Sequence, residues 1–186
     1  MPDQLVELAL RARASAERPV VIIDGRSGSG KTTLAAALAP LIDGAQVVGL
    51  DDVYPGWSGL AAASQIVVET ILRPVDPGYH RWDWELSRPS AWRRLDPHRP
   101  LVIEGAGSLT PASAAQATLR VWVELDEATR RARVAGRSDA VAYAPWWSMW
   151  ARQEAAHLAA ADPRSLADVV LDQAQPSSWS FSSSKP

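Results

Sequence analysis

The sequence predicts a three-layer α/β/α domain built on a five-stranded parallel sheet. Short β-branched apolar runs alternate with stretches of helical periodicity, the pattern of a parallel sheet covered on both faces. The first run, PVVIIDG, leads straight into a glycine-rich turn and then a helix. The 186 residues, 47% hydrophobic and 22% charged, suffice for one such domain and its core.

In order, residues 3–16 place Leu5, Leu8 and Ala12 on one side of an expected helix. PVVIIDG is a buried strand ended by glycine. A helix is expected over 31–41 and a second strand over 45–50, AQVVGL. Leu60, Ala63, Val67 and Ile71 give residues 60–72 a helical face. Residues 73–99 are dense in Pro, Trp, Asp and Arg without clear periodicity, and are expected to be an irregular functional excursion. PLVIEG (100–105) and LRVWVEL (119–125) are the third and fourth strands. Asp126 is placed to cap a helix running to about Gly136. Residues 145–161 form another helix, with Trp147, Trp150 and Leu158 on one side, and ADVVLD (167–172) is the fifth strand. One domain over 1–172 and a poorly ordered Ser-rich tail over 173–186 are expected.

Composition narrows the function. The chain has no cysteine, which excludes thiolate catalysis, disulfides and Cys-based metal sites. A formal charge of -2 gives no basic field for a nucleic-acid partner. No apolar run approaches the ~20 residues of a membrane span. A cytoplasmic protein without a nucleic-acid or membrane partner, monomer or homodimer, is the expectation.

GRSGSGKT, Gly25 to Thr32, fits G-x-x-x-x-G-K-[ST] in full, with an apolar strand before it and a helix after it. This is a P-loop, and the fold class becomes that of P-loop nucleotide triphosphatases. Gly25, Gly28 and Gly30 allow tight turns and close approach to a ligand. The backbone from Gly25 through Arg26, Ser27, Gly28, Ser29 and Gly30 to Lys31, Thr32 and Thr33 is expected to cradle the phosphates of ATP. Lys31 reaches the terminal oxygens, and Thr32 offers its hydroxyl to Mg²⁺. Lysine occurs elsewhere only at Lys185, so the guanine-reading N/T-K-x-D motif of GTPases is missing.

Phosphoryl transfer needs a carboxylate to hold Mg²⁺ and a base or orienter for the acceptor hydroxyl. Asp51 and Asp52, after the second strand, and Glu104, ending the third, stand where ligands bind in such sheets. Asp52 and Glu104 join Thr32 as candidate metal ligands. Arg130, Arg133 and Arg137, at i, i+3 and i+7, share a helix side. They either form a solvated basic face or bring planar charge to a transferring phosphoryl group. Residues 137–145 are expected to be a flexible hinged lid that excludes water. Trp82 and Trp84, and less so Trp57, are placed to stack on a flat acceptor; Trp122, Trp146, Trp147 and Trp150 are expected in the core.

With these pieces assembled, residues 19–172 resemble the uridine kinase / phosphoribulokinase family of P-loop kinases, a nucleoside-kinase-like fold. The resemblance rests on GRSGSGKT, LDDVY, VIEG, WDWELSR and LDEATRRARVAGR. It implies Asp51 as the general base, Tyr54 lining the pocket and Glu104 near Mg²⁺. It also implies Asp83 and Arg88 as acceptor contacts beside Trp82, and arginines of the helix leading into the lid on the phosphates. Val53 departs from the family's aromatic, and Trp82 stands where uridine kinases carry Tyr. The reading is an ATP- and Mg²⁺-dependent kinase of a small-molecule hydroxyl. The rivals are a kinase of a sugar, vitamin precursor or specialised metabolite, and a non-catalytic ATP-binding module. A nucleoside monophosphate kinase would need a second anion site among Arg81, Arg88, Arg93 and Arg94.

Overall fold

The structure, a computed structural model, describes residues 2–14, 16–137, 139–174 and 180–181. The five expected strands form as β1 (Val20–Asp24), β2 (Gln46–Gly49), β5 (Leu101–Glu104), β6 (Leu119–Glu124) and β7 (Val169–Asp172), counting a hairpin, β3 (Gly78–Asp83) and β4 (Arg88–Arg94), between β2 and β5. Their order is β2-β5-β1-β6-β7, all parallel. A short antiparallel strand, β8 (Ser180–Phe181), pairs with β7.

The β-branched runs read as strands because both faces are covered. Val20 and Ile22 of β1 point to one cluster, with α3 (Leu60–Ile66) and Trp150 of α7 (Trp147–Ala161). Val21 and Ile23 point to the other, with Leu8 and Ala12 of α1 (Pro2–Ala14) and Leu34 and Leu38 of α2 (Lys31–Leu38). Burying Ile22 and Ile23 fully stabilises the fold by about 2 kcal/mol each. Asp126 caps α5 (Glu127–Ala135) as expected, accepting from the Thr129 amide at 2.9 Å. Short helices α4 (Pro111–Ala114), α6 (Ala140–Tyr143) and α8 (Pro163–Leu166) complete the chain. Among the described residues, no helix is long and apolar enough to cross a membrane.

The structure bears on three further expectations. Residues 73–99 are not irregular: β3 and β4 pair antiparallel, Gly78 against Arg94 through Asp83 against Arg88. Every β4 residue is exposed, so no apolar alternation marks the strand. Residues 137–145, expected to be a flexible hinged lid, contain α6, which runs into a 3₁₀ turn, Ala144–Trp146; Ser138 lies outside the described residues. In the tail, Ser180 and Phe181 extend the sheet; residues 175–179 and 182–186 lie outside the described ones.

Candidate functional site

The strand-to-helix turn after β1 has the shape its glycines foretell. Gly28 sits at φ +82, and a Cβ there would lie 2.4 Å from the Arg130 carbonyl oxygen. Gly30, at φ +103, opens α2 with no capping side chain, so the first-turn amides keep their positive end for a ligand. Lys31 is only 8% exposed, and its Nζ donates to the Arg26 carbonyl at 3.2 Å. Among the described residues, the buried Ser29 hydroxyl has no hydrogen-bond partner. Thr32 Oγ1 donates to Glu104 Oε1 at 3.1 Å, joining the first turn of α2 to the end of β5.

Glu104 fits there because Gly49 pairs with it across β2 and β5: a Cβ on Gly49 would come within 3.1 Å of its Oε1. Burial pushes the Glu104 carboxyl above its ordinary value, Lys31 and the Thr32 hydrogen bond oppose this, and Asp51 adds to it. Asp51 lies in a 3₁₀ turn, Leu50–Asp52, with its side chain exposed and its carbonyl accepting from Trp84 Nε1 at 2.9 Å. The hairpin therefore docks on the Asp51 backbone and leaves the carboxylate open to solvent.

Several candidates have other partners than expected. Asp52 pairs with Arg81 at 2.9 Å and Arg93 at 4.0 Å, which ties the turn to the hairpin. Tyr54 is buried and donates to the Ala106 carbonyl at 2.9 Å; it braces the loop after β5 and does not line an open pocket. Asp83 accepts from the Glu85 and Leu86 amides at 3.1 and 2.9 Å, closing the hairpin turn. Arg88 is exposed at the start of β4. Arg130 is 2% exposed and donates to the Leu125 and Ser27 carbonyls, both at 3.1 Å, so it supports the P-loop from behind. Arg133 lies at the loop's rim, Nη1 3.4 Å from the Ser29 carbonyl. Arg137 pairs with Asp139 at 2.8 Å.

Three supporting residues were missed by sequence reasoning. Asp24, 1% exposed at the end of β1, accepts from the amides of Gly25, Gly107 and Leu109 at 2.6, 3.1 and 2.9 Å, and His157 Nε2 lies 3.1 Å from it. Glu154, 3% exposed, accepts from the Ser27 amide at 2.6 Å and Arg26 Nε at 3.0 Å. A carboxylate at the end of a fully apolar strand was the one available signal, for Asp24. Glu154 and His157 are spaced for one face of α7, but their partners lie 127 residues or more away in sequence.

The tryptophans also differ from expectation. Trp57 is the hub. It stacks on Trp146 with centroids 5.6 Å apart and planes at 11°, and touches Trp84 at 4.9 Å and Tyr143 at 5.4 Å. Trp146 is 39% exposed and belongs to this surface stack, not to the core; Trp122 and Trp150 are core. Among the described residues, the buried Trp82 Nε1 has no hydrogen-bond partner. A hollow of about 420 Å³ lined by Ala36, Pro40, Ile42 and Asp43 lies at the far end of α2, away from this chemistry.

The residues suit a magnesium-bound nucleoside triphosphate. The uncapped amides and buried ammonium suit its phosphates, and the Thr32–Glu104 oxygen pair suits a hard cation.

No protein-family profile matches the chain, and no curated protein matches it. Solved structures do. A possible uridine kinase from Bacillus stearothermophilus superposes with a TM-score of 0.63 at 22% identity, over 91% of this chain and 97% of that one. A candidate fructose transport system kinase from Silicibacter sp. TM1040 superposes at 0.53 and 19% identity, over 86% and 90%. At these identities the likeness establishes the fold: the three-layer α/β/α architecture of uridine kinase-like P-loop kinases.

Proposed function

We propose that this protein is an ATP-dependent kinase that transfers the γ-phosphoryl group to a hydroxyl of a small molecule. The observation that carries the reading is the Thr32–Glu104 contact beside an uncapped α2 and a buried Lys31. The similarity in fold to a possible uridine kinase supports it.

Each residue then has a task. Backbone amides at the start of α2 hold the phosphate tail, and Lys31 balances charge on its terminal oxygens. Thr32 and Glu104 would hold Mg²⁺, which would supply positive charge to offset that developing on the phosphates. Asp51 takes the proton of the acceptor hydroxyl as its oxygen bonds to phosphorus and the bond to the β–γ bridging oxygen breaks. Arg133, at the loop's rim, and Arg137, once released from Asp139, offset the transferring group. Trp82, Asp83 and Arg88 belong to the hairpin that would meet the acceptor. Asp52, held by Arg81 and Arg93, is left to fasten that hairpin, so Thr32 and Glu104 are the favoured metal ligands.

Arg81 and Arg93 converge one residue from Asp51, which favours as a second reading an acceptor that already bears an anionic group. An ADP-release screen over nucleosides, nucleoside monophosphates, sugars and vitamin precursors tests both. Acceptor-dependent ADP release supports a kinase, and a response confined to phosphorylated acceptors supports the second reading. ADP release that ignores every acceptor points to a plain ATPase.

A further inference from the structure

We propose that Glu154 and Arg130 are positioning residues that together set the backbone of Ser27, so that the two helices flanking α6 fix the geometry of the phosphate cradle. This inference rests on the reading of the loop as a nucleotide site.

Glu154 Oε1 takes the Ser27 amide at 2.6 Å, and Arg130 Nη1 gives to the Ser27 carbonyl at 3.1 Å. Both side chains are buried, at 3% and 2% exposure. They come from different helices: Arg130 from α5, which precedes α6 in the chain, and Glu154 from α7, which follows it. One residue in the middle of the P-loop is thus gripped at both backbone polar groups by the two helices that flank α6 in the chain. Releasing either grip frees the flanking peptides to rotate, which would turn a carbonyl toward an anion instead of an amide.

Charge makes the arrangement specific. A buried carboxylate beside an anion cradle repels the ligand unless it is offset. Arg26 Nε lies 3.0 Å from Glu154 Oε2 and supplies the offset. Buried ion pairs return little net stability, so generic stabilisation explains this one poorly. Fixing a backbone orientation explains it better, because the second carboxylate oxygen is occupied by the amide. Arg130 Nε is anchored on the Leu125 carbonyl at 3.1 Å, which holds its guanidinium in register with Ser27.

Calorimetric titration of the full chain with MgATP tests the idea, with melting temperature measured in parallel. Glu154→Ala should bind MgATP at least ~10-fold more weakly, whereas Glu154→Gln, whose amide oxygen still accepts from Ser27, should stay within about 3-fold of the unaltered protein. Arg130→Lys, which loses the planar fork, should also weaken binding by about 10-fold. A residue that only supports the fold would lower the melting temperature of all three variants and leave affinity alone. Unchanged affinity in Glu154→Ala, or Gln as weak as Ala, overturns the proposal. If Glu154→Ala does not fold, Arg130→Lys decides: weaker binding supports the grip, and unaltered binding overturns it. Failure of the unaltered chain to bind MgATP overturns the kinase reading and this proposal together.

Discussion

Thr32 and Glu104 meet at 3.1 Å, a hydroxyl from the start of α2 against the carboxylate that ends β5. Burial holds that carboxyl above the ordinary glutamate value, so the folded chain binds its proton more tightly than the unfolded chain does. The associated stability is complete below the ordinary value and is lost as pH rises from there through the raised one. The melting temperature of the ligand-free protein should therefore carry a falling component across that window. Glu104→Gln should remove it. A pH series of melting curves on both proteins checks this, and identical profiles refute the assignment.

Replacing Asp51 with Asn keeps the shape of the turn and the carbonyl that accepts from Trp84. Acceptor phosphorylation should fall by about 100-fold or more, the size of effect expected for a general base. MgATP affinity should stay within about 3-fold, because the P-loop is untouched. Steady-state kinetics with any acceptor from the screen, alongside calorimetry, separates the two.

Gly28→Ala tests the cradle itself. Its Cβ would press to 2.4 Å from the Arg130 carbonyl at a φ of +82. The backbone strain alone costs on the order of 1–3 kcal/mol. A fall in melting temperature of roughly 5 °C is expected, with loss of MgATP binding. A variant that binds as before would mean the loop has slack that its contacts do not reveal.

Much of the fold was legible. PVVIID, PLVIE and LRVWVEL announce themselves because both their faces are buried, and the strand–GRSGSGKT–helix series ties loop chemistry to topology. The hairpin escaped because RPSAWRR is exposed along its whole length, and alternation marks a strand only when one face is buried. At the site, the P-loop, Asp51 and Glu104 stood out by motif and by place at strand ends. Arg130 was misjudged because helical spacing says which residues share a side, not whether that side meets solvent. Glu154 and His157 could not be found, since a bond to residue 27 or 24 leaves no local trace on α7.

Trp57 links the loop after β2 to the hairpin through Trp84 and to α6 and the 3₁₀ turn after it through Tyr143 and Trp146. Aromatic pairs contribute about 0.5–1.5 kcal/mol each beyond burial, so Trp57→Ala should destabilise the protein by roughly 2–4 kcal/mol. Because Trp84 also holds the Asp51 carbonyl, the acceptor's KM should rise while MgATP affinity changes little. Denaturant unfolding followed by fluorescence gives the first quantity, and kinetics the second.

Gly30 opens α2 at φ +103, a conformation that suits glycine and not a capping serine or aspartate. The empty protein thus forgoes cohesion that a guest anion can restore, and its heat tolerance belongs partly to the complex. At a ligand concentration a hundred times its dissociation constant, mass action adds about 2.7 kcal/mol. For a chain this long that is a rise of roughly 5–10 °C. Supply of the guest would then set part of the temperature at which each molecule unfolds.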